Sequence, residues 1–189
     1  MKIYLLRHEN RTQDATFFAP LTQDGLDNSV KLINELEKLQ INDIYSSPYI
    51  RTLQTIYPYS KHSKIPIKID YCLGEKISNY IIPKNSYQVR LPTYIADQFN
   101  VSKDYSSLMY PEEYVMDESM NQVEDRIKKI IKKLILENHN NDNKNIIIVT
   151  HQAVSNIILK IISKKNVSDN LIFNDAEKYP YPKGGLTQI

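Results

Sequence analysis

The sequence predicts a three-layer α/β fold: a mainly parallel β-sheet flanked by helices, with one irregular insertion. Three observations predict it. Short apolar runs alternate along the chain with longer segments of helical periodicity. The run "IIIVT" (146–150) is apolar almost throughout, as a parallel strand buried on both faces is. The segments follow the order strand, helix, strand, helix, strand, insertion, helix, strand, helix, which successive crossover connections turn into one parallel sheet.

Each element has its own signal. Lys2 to Leu6 is an apolar run with the length of a buried strand, followed by the polar stretch Glu9 to Pro20. Thr22 suits the entry to a helix whose apolar stripe is Leu26, Val30, Ile33, Leu36 and Leu39, with Gly25 a mild cost in its first turn. "INDIYSS" (41–47) is a second strand, and Pro48 fits the first turn of the helix "PYIRTLQTIYPYS", which Pro58 ends or kinks. "IPIKIDYCL" (65–73) alternates like a half-exposed strand. From Gly74 to Glu118 periodicity is lost, and residues 76–118 are expected to form an insertion that makes part of a substrate mouth. Ser119 and Gln122 match a capping box for a helix with the stripe Val123, Ile127, Ile130, Ile131, Leu134 and Ile135. "AVSNIILKIISKK" is the last helix, and the tail 165–189, with Pro180, Pro182, Gly184 and Gly185, reads as irregular.

Length and composition bound the function. The 189 residues suffice for a single domain, 1–189, and not for two ordinary ones. Net charge is only +2 with the cations dispersed among acids, so no nucleic-acid-binding face is indicated. Cys72 is the one cysteine, which fits a reducing compartment. The apolar run after Met1 is too short for a secretory signal or a membrane span, so a soluble, cytoplasmic protein is expected. "KKIIKKLI" (128–135) has its lysines opposite an apolar stripe and reads as a solvated outer face rather than a lipid contact.

In a sheet of this kind ligands sit beyond the carboxyl ends of the strands. Arg7 and His8 end the first strand, His151 ends "IIIVT", and Arg51 lies early in the helix after "IYSS". Arg11 and Glu75 are loop residues in reach of the same edge. Three of the five arginines thus fall where two histidines do. A guanidinium matches phosphate oxygens two at a time. A neutral imidazole is able to attack phosphorus, a second one to donate to its oxygens, and a carboxylic acid to protonate the departing alkoxide.

"LLRHEN", "YSSPYIRTLQT", "LGEK" and "VTHQAV", in that order over residues 3 to about 156, resemble the motifs of the histidine phosphatase superfamily, also called phosphoglycerate mutase-like. The resemblance implies a metal-independent phosphomonoesterase with His8 as the phosphorylated nucleophile. Arg7, Arg11, Arg51 and His151 would form the phosphate pocket, and Glu75 would be the general acid and base. No cofactor is implied, and the substrate would be a small-molecule phosphomonoester or a phosphorylated protein. Two departures stand out. Glu9 occupies the place where the family usually has a small residue, and Gln152 follows the second histidine where the acid phosphatase branch has Asp.

Other readings compete with these. Glu9, Glu112, Glu113 and Glu118 are rivals of Glu75 for the acid. The tyrosines between Tyr80 and Tyr114 either line the mouth or simply pack. His62 and His139 sit in polar loops and read as solvated. A phosphoglycerate mutase on the same chemistry is one alternative, although such mutases usually have R-H-G in place of "RHENR". A catalytically weak phosphate-binding module is another. A zinc site of His8, His151 and Glu75 is disfavoured by the neighbouring arginines and by the lack of an H-E-x-x-H spacing.

Overall fold

The computed structural model describes residues 1–14, 16–77, 89–138, 140, 141, 143–163 and 183–189. The elements are β1 (Lys2–Arg7), α1 (Gln23–Glu37), β2 (Asp43–Ser46), α2 (Ile50–Ser63), β3 (Ile67–Ile69), α3 (Thr93–Ala96), α4 (Met120–Asn138), β4 (Asn145–Thr150), α5 (Gln152–Ser163) and β5 (Leu186–Gln188). The sheet order is β3-β2-β4-β1-β5, with the first four strands parallel and β5 antiparallel to β1. β4 therefore lies at the centre, in register Leu5↔Ile148 with β1 and Tyr45↔Ile148 with β2.

Strand alternation sends successive side chains into two separate cores. Tyr4, Leu6, Ile44, Ile147 and Val149 face α1 and α2, where they meet Leu36, Leu53 and Ile56. Ile3, Leu5, Tyr45, Ile146 and Ile148 face α4 and α5, where they meet Val123, Ile127, Leu134, Val154 and Ile158. Each of these fully buried side chains stabilises the fold by about 1.5–3 kcal/mol relative to exposure. This is the expected three-layer arrangement. No helix among the described residues is long and apolar enough to cross a membrane.

The helix entries follow their caps. Thr22 accepts the Gly25 N–H at 3.2 Å, and Ser119 and Gln122 exchange the two bonds of a capping box. Gly25 is more than a mild cost: a Cβ there would lie 2.2 Å from the Asn10 carbonyl oxygen, so only glycine lets α1 begin against that loop. The stripe of α1 is rotated from the expected one, with Ser29 buried and Val30 out in solvent. Ile135 of α4 is likewise exposed, and of its lysines Lys128 pairs with Glu124 and Lys133 with Glu137.

Four further expectations are corrected. Pro48 precedes α2 rather than opening it, since Tyr49 is the cap and the helix starts at Ile50. Pro58 does not end α2, which runs on to Ser63 because Tyr59 and Ser60 are buried beyond it and the Ser60 hydroxyl donates to Ile65 O at 2.6 Å. The strand expected over 65–73 is only Ile67–Ile69, because the Asp70 carboxylate caps a 3₁₀ turn at Tyr71–Leu73 by accepting the Cys72 N–H at 2.8 Å. The tail is not wholly irregular: β5 covers the free edge of β1. Of the tyrosines, Tyr105 donates to Asp70 at 2.5 Å and Tyr114 is stacked near Arg126, so these two pack, whereas Tyr80 and Tyr87 lie outside the described residues. His62 lies in the last turn of α2 rather than in a loop, exposed but bonded to Glu37 at 2.6 Å, and His139 lies outside the described residues.

Gly184 holds the tail to the end of β1. Its N–H donates to Arg7 O at 3.1 Å, and Arg7 N–H donates to Gly185 O at 3.2 Å. Its φ of +69° belongs to the left-handed region, and a Cβ would fall 2.0 Å from a Glu9 carboxylate oxygen. Gly184→Ala is therefore expected to destabilise the protein by about 2 kcal/mol or more in urea unfolding. Adding Glu9→Ala is expected to restore part of that loss, because it removes the clash and leaves only the backbone penalty.

Candidate active site

Backbone pairing continues past the strand ends and sets the order of the site. His8 N–H donates to Thr150 O and Ser47 N–H to Val149 O, both at 3.0 Å. His151, the first residue beyond β4, consequently sits between His8 on one side and Ser47 on the other. α2 and α5 begin at this same edge, and their N-termini add partial positive charge.

His8 is 4% exposed, and its Nδ1 lies 2.8 Å from the Glu9 carbonyl oxygen. A carbonyl only accepts, so Nδ1 carries the proton and Nε2 keeps its lone pair. Burial, then the charge of Arg51, pushes the His8 pKa well below the usual histidine value; Arg7 and Arg11 add to this and the Glu9 carbonyl opposes it. His151 is fully buried with its ring centroid 5.3 Å from that of His8. Its pKa is also lowered, by burial, Arg51, His8, Arg126 and Arg7 in that order. Its Nε2 meets Ser47 Oγ at 2.8 Å, and its Nδ1, which makes no hydrogen bond among the described residues, is 3.8 Å from Glu75 Oε2.

Arg51, in the first turn of α2, is 2% exposed. Its Nη1 donates to Thr16 O at 2.8 Å, its guanidinium lies 4.5 Å from the Tyr49 ring centroid, and its buried Nε has no hydrogen-bond partner. Burial brings its pKa down to about 10, which still leaves it cationic at neutral pH. Arg7 ends β1, and Arg11 follows in the loop with its guanidinium on Thr12 O at 2.6 Å. Both are near enough for their charge to be felt at His8.

Glu75 is held by the neighbouring elements. Thr150 Oγ1 donates to Leu73 O at 2.7 Å. From α4, Arg126 Nη1 donates to Cys72 O at 2.6 Å and Gly74 O at 2.8 Å, and Nη2 to Glu75 O at 3.2 Å. The same guanidinium makes a buried bidentate pair with Glu118, at 2.8 and 3.0 Å. Glu118 is thereby occupied, and it also accepts the Ile77 N–H at 3.0 Å. Glu112 pairs with Arg90, and Glu113 caps its own turn. Among the described residues, Glu75 brings the one carboxylate within ion-pair distance of His151.

The Glu9 carboxylate has its partners in α1, in the loop that follows β1 and in the C-terminal segment. Its oxygens receive the Asn10 N–H at 3.4 Å and interact with Asn28, Lys31 and Lys183, while its backbone N–H is held by Thr55 Oγ1 at 3.0 Å. Burial raises its pKa and these partners oppose the rise. Among the described residues no three His, Cys, Asp or Glu side chains converge as a metal site requires.

Sequence reasoning missed Ser47, Arg126 and Thr150. Arg126 had a legible signal, a cation between Val123 and Ile127 on the core stripe of α4, where an unpaired charge is excluded.

The sequence profile of the histidine phosphatase superfamily (branch 1) matches residues 3–174. No curated protein sequence matches. Among solved structures, the chain resembles the ecdysone phosphate phosphatase of Bombix mori, with 14% identity and a TM-score of 0.73 over 99% of this chain and 88% of that one. It also resembles Bacillus stearothermophilus YhfR, at 20% identity and a TM-score of 0.68 over 100% of this chain and 90% of that one. A mycobacterial glucosyl-3-phosphoglycerate phosphatase matches with 16% identity and a TM-score of 0.67, over 99% and 88%. At these identities the likeness is one of fold.

Two outcomes are expected from this geometry. Arg126→Met leaves Glu118 buried and uncompensated, so it should destabilise the protein by about 3–5 kcal/mol, whereas Arg126→Met with Glu118→Met should recover most of that in urea unfolding. Both histidines are held neutral below their usual pKa, near 6.5. The unfolded chain takes up protons there and the folded chain does not. The stabilising contribution is thus complete above about pH 6.5 and is lost as the pH falls toward the folded pKa values, by at most about 1.4 kcal/mol per pH unit for each histidine. Urea midpoints measured from pH 7 to 5 should show the fall, with a shallower slope in His8→Asn.

Proposed function

The chain belongs to the histidine phosphatase superfamily, and on that premise we propose that it hydrolyses phosphomonoesters through a phosphohistidine on His8, without a metal ion. The observation that carries the reading is the 2.8 Å bond from His8 Nδ1 to the Glu9 carbonyl. It leaves Nε2 bare, in a neutral ring, beside the charges of Arg7, Arg11 and Arg51. The unpaired Nε–H of Arg51 and the unpaired Nδ1 of His151 are what a phosphate would satisfy.

In this mechanism the arginines neutralise the ester dianion, and Nε2 of His8 attacks phosphorus in line. The P–O bond to the alcohol breaks as the N–P bond forms. Glu75, as the carboxylic acid, gives its proton to the departing oxygen. Its carboxylate then takes a proton from water, the water oxygen attacks the phosphohistidine, and phosphate leaves with His8 restored. The role expected for 76–118 in the mouth falls in part on 78–88, which lie outside the described residues; a small-molecule phosphomonoester is the preferred substrate, with a phosphorylated protein as the alternative. Two of the fold neighbours are named as phosphatases of phosphorylated small molecules, which supports the first. A mutase-type transfer uses the same nucleophile.

Release of phosphate from an aryl phosphate, with EDTA present, tests the proposal. Wild type is expected to turn over, and His8→Ala to lose at least about a thousandfold in kcat, as removal of a covalent nucleophile does. Loss of wild-type activity on adding EDTA, or near-normal activity in His8→Ala, would overturn it. Conversion of 3- to 2-phosphoglycerate in a coupled assay would move the assignment to a mutase.

A further inference from the structure

We propose that Ser47 is a positioning residue that locks His151 as its Nδ1–H tautomer, so that His151 meets the phosphoryl group as a hydrogen-bond donor and not as a base. Its consequence for catalysis rests on the phosphohistidine reading; the tautomer itself does not.

Two independent arguments place the proton. The first concerns the hydroxyl. Ser47 is 0% exposed, so its O–H must find an acceptor within the protein. Among the described residues its Oγ has two hydrogen-bond neighbours: the Tyr49 N–H, which donates to it at 3.4 Å, and His151 Nε2 at 2.8 Å. The backbone N–H accepts nothing. The hydroxyl hydrogen is therefore satisfied only by the imidazole, which requires a lone pair on Nε2 and hence a proton on Nδ1. The reverse assignment gives the Ser47 oxygen two donors and leaves its own hydrogen buried and unmatched.

The second argument concerns the other face of the ring. His151 Nδ1 is 3.8 Å from Glu75 Oε2. An N–H facing a carboxylate is attractive, and a lone pair facing one is repulsive. The ring is held by its neighbours, since the Tyr49 ring packs against it with centroids 4.7 Å apart and the His8 ring stands at 5.3 Å. Ser47 and the Glu9 carbonyl thus act alike on the two histidines. Each fixes a tautomer from the side away from the pocket, and they leave opposite functions facing it: a lone pair on His8 and a donor on His151.

The test uses the full-length protein labelled with ¹⁵N in its histidines. Two-bond ¹⁵N–¹H spectra at neutral pH report which ring nitrogen is protonated, and His151→Asn assigns the signals. The expected wild-type spectrum has the His151 proton on Nδ1. Ser47→Ala is expected to give a mixed or Nε2–H pattern and a 10- to 100-fold lower kcat for aryl phosphate, with KM changed less than threefold. Ser47→Thr, which keeps the hydroxyl, is expected to restore both. A wild-type proton on Nε2, a doubly protonated ring, or an unchanged tautomer in Ser47→Ala would overturn the proposal. The wild-type spectrum decides the matter even where Ser47→Ala does not fold. Absence of phosphatase turnover in wild type would count against the phosphohistidine reading alone.

Discussion

The parallel ladder that places β4 between β1 and β2 sets the distances in the site. Because β4 pairs on both edges and is covered on both faces, its end has one position available. The two ladders run one residue further than the strands, through His8 to Thr150 O and Ser47 to Val149 O. His8, His151 and Ser47 are therefore rigidly spaced by backbone geometry before any side-chain contact is made. A strand-end residue on a less deeply buried sheet would be free to move by the ångström that separates a hydrogen bond from none.

Electrostatics determines what that rigid frame can hold. Arg7, Arg11 and Arg51 are permanent cations around two imidazoles that burial and these same charges keep neutral. Protonating either ring would add a like charge to a desolvated cluster. Among the described residues the carboxylate within ion-pair distance of His151 is that of Glu75, 20% exposed, at the border of the cluster. In the proposed mechanism an incoming phosphate dianion relieves both the repulsion among guanidiniums and the unmet polar atoms of Arg51 and His151. In that mechanism, anion binding and a neutral nucleophile have the same cause.

The parts of the site legible in the sequence are those whose chemistry is carried by residue type at a strand end: His8, His151, Arg7 and Arg51. The layered fold was legible for a related reason, since "IIIVT" and the stripe of α4 encode burial directly in their periodicity. What escaped was set by tertiary contact. Ser47 is one serine of a pair, and only the register of β2 against β4 points it at His151. Pro58 carries a strong local signal to stop a helix, yet burial of Tyr59 and Ser60 overrides it. Likewise β5 has no apolar run, and it exists because the edge of β1 offers unpaired backbone groups.

Glu9 shows how a locally unfavourable residue is absorbed by its distant surroundings. At the nucleophile's shoulder a carboxylate aimed into the pocket would repel phosphate. Here its backbone is fixed by Thr55 of α2, and its side chain is drawn towards α1 and Lys183. The space it enters exists because residue 184 has no Cβ and adopts φ +69°. That same Gly184 bonds the carbonyl of Arg7 and, at 3.4 Å, the carbonyl of His8. The acidic shoulder and the tail glycine are therefore packed as one unit: the carboxylate lies against the residue whose N–H is bonded to the end of β1. It follows that Glu9 places a demand on the C-terminal segment, which has to present a glycine at this point for β1 to end as it does.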